Sequence, residues 1–532
     1  MNRITRRSLL AGTAAAGGTL IAGGAPARAV DPSGTTAHPA VTVRPDDFRY
    51  DDLIRGENLR WVGSPDYIKI ITSPDQVTAA VQEAVSAGKR IAVRSGGHCY
   101  EDFVTNPEIQ VVLDLSKMNA IYYDDAQHAI AIEAGATVGE VCEALFKGWG
   151  VTLPAGSCPS VGFGGHVAGG GYGQLNRSLG LVVDYLYAVE VVVVGADGSA
   201  RRVIATARPD DPYRDLWWAH TGGGGGNFGV VTRYWFRGPG PGDAAAGTVL
   251  PKPPGEVWIN QSVWPWAGLT EAGFSRLMQN FGRWCEQNSG ADTAYSGLFS
   301  RLFLTHQSNG LINMATQMDA SVPDAEALLR QFVAAVADGV GTPQTWDHRR
   351  LPWFHSTTWR AMFGGDATGR ADFKSTYMRR GFPDSHIAAF HHHLTRTDYA
   401  NPGALVEVSS YGGRSNTVSA SATAVPQRDS VMKMMYLVAW GDATDDAVHL
   451  GWIREFYRDV YATTGGVPVP SAVTDGCFIN YADIDLSDPA WNTSGVPWYG
   501  LYYKDNYPRL QQVKARWDPS DAFRHAQSIR LP

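Results

Sequence analysis

Residues 94–98 read RSGGH and residues 156–173 read GSCPSVGFGGHVAGGGYG, so His98 and Cys158 each stand inside a glycine-laden run. A third run, HTGGGGGNFGVVTRYWF at 220–236, contains Gly224, Gly226 and Gly229 in G-x-G-x-x-G spacing. A dinucleotide turn of the Rossmann kind needs a strand before its glycines and a helix after them. Here a helical pattern, PYRDLWWAH, comes first and a β-rich stretch, VVTRYWF, follows, which excludes that reading. No G-x-x-x-x-G-K-[ST] occurs, so the phosphoryl-transfer loop is excluded too. Glycine lets backbone N–H groups converge on an anion such as a pyrophosphate, and it also lets two backbones pack closely. Both roles remain open for the three loops.

Around these runs, residues 66–240 alternate short strands and helices: YIKI, then helical SPDQVTAAVQEAVSAG, RIAVRSGG, VVLDLS and AIAIEAGA, and a strand–turn–strand reversing at ADG. A Pro/Gly break, GPGPGDAAAG at 238–247, closes the segment. From 250 to 475, stretches such as GLFSRLFLTH, GLINMATQMDA and ALVEVSSYGG between helical patterns predict an antiparallel sheet backed by helices. The boundaries expected are a main part at 30–240, a second, substrate-facing lobe at 248–470 and a C-terminal segment at 471–532 that returns to the first part.

The first 29 residues, with Arg6-Arg7 ahead of Ser8-Leu9-Leu10, an apolar run diluted by glycine and an A-x-A ending at Ala27 and Ala29, read as a twin-arginine signal peptide that exports a folded chain. Such a leader requires the twin-arginine export machinery as a partner and predicts a secreted protein without stable membrane anchoring. Taking its four arginines from the 45 basic residues leaves 41 against 52 acidic ones, a net charge of −11 that disfavours nucleic acid. Five cysteines, at 99, 142, 158, 285 and 477, show neither a disulfide framework nor zinc spacing, and no metal is expected. Cys142 shares a helical stripe with Val138, Val141, Leu145 and Phe146, and HHH at 391–393 reads as a solvated helix face.

Arg94-Ser95-Gly96-Gly97-His98, then Cys158 with Gly164, Gly165, His166 and GGGYG, then LWWAHTGGGGGNFGVVT, together with the terminal NYPRLQQVKARWDPSDAFRH, resemble the berberine bridge enzyme family of FAD-linked oxidases, and within it the bacterial oxidases that tailor secondary metabolites. The resemblance implies an α+β fold: a two-lobed FAD-binding domain of vanillyl-alcohol oxidase type plus a substrate lobe with a large antiparallel sheet backed by helices. It implies FAD bonded twice, through His98 to the 8α carbon and through Cys158 to C6, two side chains that are able nucleophiles. Cys99, adjacent to His98, should face the other way. The residues it assigns to the cofactor are His98, Cys158, Arg94, Ser95, Gly96, Gly97, Gly164, Gly165, His166, Gly170, Gly171, Tyr172, Gly173, Thr221, Gly225, Gly226, Asn227, Phe228, Gly229 and Val231.

The family's base is a tyrosine in Tyr-x-Asn-Tyr, whereas this chain reads Phe478-Ile479-Asn480-Tyr481. Read as a strand, Asn480 shares the face of Phe478 and Tyr481 points away. Strict alternation in LVEVSSYGG projects Glu407, Ser409 and Tyr411 together, which makes Tyr411 and Glu407 the candidate bases, with Asn480 and Tyr481 as further candidates. The activity expected is hydride removal from an alcohol or ring carbon of a bulky natural product, glycosylated or polyketide, with dioxygen reoxidising the flavin to hydrogen peroxide. The alternative is a secreted flavoprotein that sequesters a toxic metabolite, which the missing phenol at 478 favours.

Overall fold

The computed structural model describes residues 39–239, 245–359, 361–362 and 369–532. The signal-peptide reading and part of the 238–247 break lie outside them. Three sheets organise the chain. The first runs Val41–Val43, Tyr67–Ile70, Val111–Asp114, Ile91–Arg94, with its inner strands parallel. Helix Pro74–Ser86 makes one of the crossovers; Ser73 caps it by accepting from the Gln76 N–H, and Pro74 occupies its first turn, where a missing N–H costs nothing. The second sheet, antiparallel, runs Ile121–Asp124, Ala129–Glu133, Val230–Phe236, Leu186–Val194, Ala200–Thr206. The expected hairpin joins its last two strands. Helix Arg214–Ala219 precedes the third glycine run and strand Val230–Phe236 follows it, the reverse of a Rossmann turn.

The third sheet has seven antiparallel strands in the order Gln344–Pro352, Glu256–Pro265, Leu311–Asp319, Leu298–Thr305, Leu405–Ser410, Met432–Trp440, Arg370–Met378. Helices Glu271–Gln287, Ala325–Ala337, Asp384–Thr395 and Asp446–Val460 cover it, burying Phe281, Phe332, Phe390 and Phe456 in a core shared with the second sheet. This is the two-lobed α+β architecture expected.

Helix Val138–Trp149 is fixed at its start by a capping box, Thr137 with Glu140, and splits the predicted stripe. Val138, Val141 and Leu145 enter the main core, while Cys142 and Phe146 pack against Val257, Ile259 and Trp353 of the substrate sheet's flank.

Among the described residues, no helix is long and apolar enough to cross a membrane.

Candidate active site

A cavity of about 400 Å³ lies where the three sheets and the C-terminal segment meet. One wall is built by backbone apposition. Strand Ile91–Arg94 ends in the Arg94 guanidinium, which donates to Asp114 Oδ2 (2.6 Å) and to the Arg55 carbonyl (3.1 Å), a clamp on the strand end. Ser95 Oγ then donates to the Ala134 carbonyl (2.6 Å). Gly96 and Gly162 follow in direct contact: a Cβ on either would overlap the other's backbone. The partner loop is itself anchored on a helix start, where Val138 N–H donates to the Val161 carbonyl and Gly139 N–H to the Pro159 carbonyl, both at 2.9 Å. This seating brings His98 and Cys158 together. Ser160 Oγ lies 2.8 Å from His98 Nε2 and 3.6 Å from Cys158 Sγ, and Glu57 Oε1 is 3.8 Å from the same histidine nitrogen. Cys99 is the inert neighbour, its thiol pushed up to about 12 by burial.

The glycine runs serve both roles left open above. A Cβ on Gly164 would come within 2.6 Å of the Ala134 carbonyl oxygen, which makes that glycine a packing device, whereas Gly165 and Gly225 have open space where a Cβ would stand. Of the cofactor residues expected, Arg94, Ser95, Gly96, Gly97, His98, Cys158, Gly164, Gly165, His166, Tyr172, Gly225, Gly226, Asn227, Gly229 and Val231 line the cavity. Gly170, Gly171, Gly173, Thr221 and Phe228 do not. Gly170 backs onto Val425, Gly171 onto Val182 and Gly173 onto Ala155. Thr221 spends its hydroxyl on the Trp218 carbonyl and the Ala424 N–H, and Phe228 is core, edge-on to His220. His166 accepts from the Gly156 N–H (3.2 Å), and burial drops it to about 4, so it lines the cavity as a neutral ring.

The opposite wall corrects the catalytic expectations. Residues 478–481 form a turn, not a strand, closed by the Tyr481 N–H donating to the Phe478 carbonyl (2.9 Å). The reversal puts Tyr481 on the side of Phe478, rings 5.2 Å apart, while Asn480 also lines the cavity with its Nδ2 donating to the His166 carbonyl (2.9 Å). Tyr481 Oη meets Tyr172 Oη at 2.9 Å. Tyr411 is not in this group. Strand Leu405–Ser410 ends before it, its N–H bonds the Val431 carbonyl, and its fully buried ring sits edge-on behind Tyr172 and Tyr377, away from the cavity lining. Glu407 does line the cavity, held by Ser409 Oγ (2.7 Å) and the Arg301 guanidinium (3.1 Å), which also donates to Ser157 Oγ (3.0 Å).

The residue that sequence reasoning missed is Lys433. On strand Met432–Trp440 it pairs with Ser409 as Met435 pairs with Glu407, so it shares their face. Among the described residues its Nζ has no hydrogen-bond partner, and it lies 3.3 Å from the Tyr172 ring centre, 3.4 Å from Phe478 and 4.2 Å from Tyr481. Burial holds this amine well below the ordinary lysine range, with the Glu407 charge pulling the other way. Burial likewise raises Tyr172 to about 12, and Tyr481 rises well above the ordinary phenol. A lone cation inside the apolar run MKMMYLVAW was the available signal. Tyr100, also missed, joins the walls, stacked at 3.6 Å on Phe373 and tilted against Tyr481 at 5.6 Å.

The HHH reading is corrected as well. His392 is exposed, but His391 packs against Phe274, and His393 is buried with Nε2 2.9 Å from Asp459 Oδ2.

A wall carrying two side-chain nucleophiles, bare backbone at Gly165 and Gly225, and the neutral His166 fits an FAD, which His98, Cys158 and the glycine loops would hold. Residues 65–203 match the family model described as FAD binding domain, and residues 477–530 the one described as Berberine and berberine like. The chain is 49% identical to the aclacinomycin-N/aclacinomycin-A oxidase of Streptomyces galilaeus, over 100% of this chain and 99% of that one. Among solved structures it is similar to CrmK, a flavoenzyme of caerulomycin biosynthesis (TM-score 0.91, 51% identity, 93% of this chain and 100% of that one). It is also similar to a glycopeptide hexose oxidase complexed with teicoplanin (TM-score 0.88, 49% identity, 93% and 99%). Sequence, fold and cavity agree: this chain belongs to the berberine bridge enzyme-like family of FAD-linked oxidases.

Proposed function

We propose that the protein oxidises a carbinol of a large secondary metabolite, a glycosylated aromatic polyketide or glycopeptide, with FAD attached through both His98 and Cys158. The observation that carries this is the Tyr172–Tyr481 hydroxyl pair in the cavity that His98 and Cys158 also line, with Lys433 packed behind the two rings. FAD, when bound, supplies a two-electron hydride acceptor that dioxygen reoxidises to give hydrogen peroxide. The chain's part is to place the carbinol and take its proton. Arg301 and Glu407 offer a donor and an acceptor that orient substrate hydroxyls, and the tyrosine pair receives the hydroxyl proton once one phenol has given its own proton to the neutral Lys433 amine. Lys433 without an acceptor disfavours its own ammonium form. A phenolate forming beside it reverses that preference, so lysine and tyrosines act as one proton-accepting unit.

Sequestration without turnover rested on the missing phenol at 478, and Tyr481 supplies one across the turn. An oxidase of aclacinomycin and a glycopeptide hexose oxidase complexed with teicoplanin among the relatives support the choice of a sugar-bearing natural product. The Arg6-Arg7 leader supports export of the folded, flavin-loaded protein. The test is hydrogen peroxide release and anaerobic flavin bleaching with a panel of glycosylated polyketides and glycopeptides; binding without bleaching across the panel rejects the oxidase reading. Retention of the Arg6→Lys/Arg7→Lys precursor inside the cell tests the export route, and normal secretion rejects it.

A further inference from the structure

The feature that neither the motif nor the reaction accounts for is Ser160. Its hydroxyl is in contact with both attachment side chains, 2.8 Å from His98 Nε2 and 3.6 Å from Cys158 Sγ. Its backbone is not free to move: the Gly96–Gly162 apposition and the two bonds from the start of helix Val138–Trp149 fix the loop on either side. We propose that Ser160 is a positioning residue for covalent flavin attachment, coupling the two linkages through one hydroxyl. This rests on the double-linkage reading given above.

Each attachment replaces one flavin C–H and one side-chain N–H or S–H by an N–C or S–C bond. The two electrons and two protons released are carried to dioxygen as hydrogen peroxide, so each linkage consumes one dioxygen. What limits such a step on the protein side is the form of the nucleophile. A neutral imidazole keeps one N–H and one lone pair, and the hydrogen bond made by one nitrogen decides which is which. With its proton on Nε2, donated to Ser160 Oγ, His98 carries the lone pair on Nδ1 as the attacking atom. Ser160, having accepted from the histidine, has its own O–H to donate to the Cys158 sulfur, and a donor aimed at sulfur favours the thiolate, the reactive form. Donor–acceptor polarity therefore runs one way along the chain, from His98 through Ser160 to Cys158. Glu57, 3.8 Å from Nε2, supports the same tautomer.

The experiment isolates full-length wild-type, Ser160→Ala and Ser160→Thr protein from riboflavin-starved cells, adds FAD, and follows attachment at His98 and at Cys158 by peptide mass spectrometry against time and pH. Ser160→Ala is expected to bind FAD with unchanged affinity and melt at the wild-type temperature, yet to attach it at least about ten-fold more slowly at both residues. Its Cys158 linkage should recover at higher pH, where the thiolate forms unaided. Ser160→Thr, which keeps the hydroxyl, should restore most of the rate. Wild-type rates at either residue in Ser160→Ala overturn the inference, and so does a threonine variant no faster than alanine. If wild-type protein itself forms only one linkage or none, the double-linkage reading falls and this inference falls with it; with both linkages formed in the wild type, the two failures separate.

Discussion

The two walls of the cavity are built on opposite principles. The His98–Cys158 wall is backbone against backbone: two short loops, each read from contiguous residues, meet because glycines at 96 and 162 leave no Cβ between them. The Tyr172–Tyr481–Lys433 wall is side chain against side chain. It gathers a tyrosine from the second glycine run, a lysine from the start of a strand and a tyrosine from a turn near the C-terminus. At the Gly96–Gly162 contact the first wall tolerates no added atom, which fixes the loops that would hold a cofactor. The second stores its chemistry in the mutual titration of buried groups, which depends on every member being present.

If that contrast is right, the largest effect belongs to the second wall. Tyr481→Phe or Tyr172→Phe should slow flavin reduction about 10²–10⁴-fold in stopped-flow measurements, with FAD attachment intact. Combining them should cost little more than either alone, because the pair acts as one unit; multiplicative losses would break the comparison. In the first wall the expected loss is of structure. Gly96→Ala, forced onto the Gly162 backbone, should destabilise by about 1–3 kcal/mol in thermal or denaturant unfolding and abolish covalent flavin. Gly165→Ala, with open space around its Cβ, should leave unfolding within about 0.5 kcal/mol and reduce FAD uptake instead. Lys433→Met sharpens the contrast from the other side: removing a buried, unpartnered amine should stabilise by about 1 kcal/mol while flavin reduction falls about 10²-fold.

A smaller effect is expected in the substrate half, under acid. Burial lowers His386 to about 4, and its Nδ1 has no partner. The unfolded chain therefore takes up this proton first, and stability is lost as pH falls from about 6.5 toward 4. Asp475 and Asp483 oppose this, since burial raises them to about 6 and about 7 and the fold gains from protonating them. The informative quantity is the difference: His386→Phe should melt on a shallower pH curve than wild type, by about 1–3 kcal/mol at pH 4. Least of all is expected from Cys99→Ser, which should leave both flavin linkages unchanged by mass spectrometry.

The legibility of the sequence followed the same division. Periodicity placed the strands and helices on either side of the glycine runs, and the order of helix and strand around 220–236 ruled out the Rossmann turn, because these are local properties of backbone and side-chain spacing. His98 and Cys158 stand out as side chains inside glycine runs for the same reason, while the cofactor role expected of them comes from the family resemblance. Three errors share one cause. A turn at 478–481 was read as a strand, so Tyr481 was assigned to the wrong side; Tyr411 was carried along an alternation that the chain abandons at Ser410; and His393 was read as solvated although Asp459 covers it. In each case the deciding partner stands more than a dozen residues away or the backbone reverses without a glycine or proline to announce it.

What the sequence determined by itself, then, is the set of elements and the presence of two nucleophiles in glycine loops, since hydrophobic period and the lack of a Cβ act over a few residues. What only the tertiary structure decided is which side chains share the cavity. Lys433 reads in sequence as one charge in an apolar strand; packed behind the cavity among Tyr172, Phe478 and Tyr481 it loses water and, among the described residues, every acceptor, and its proton comes to depend on theirs. Desolvation and charge proximity are properties of the assembled interior, and no stretch of chain carries them alone.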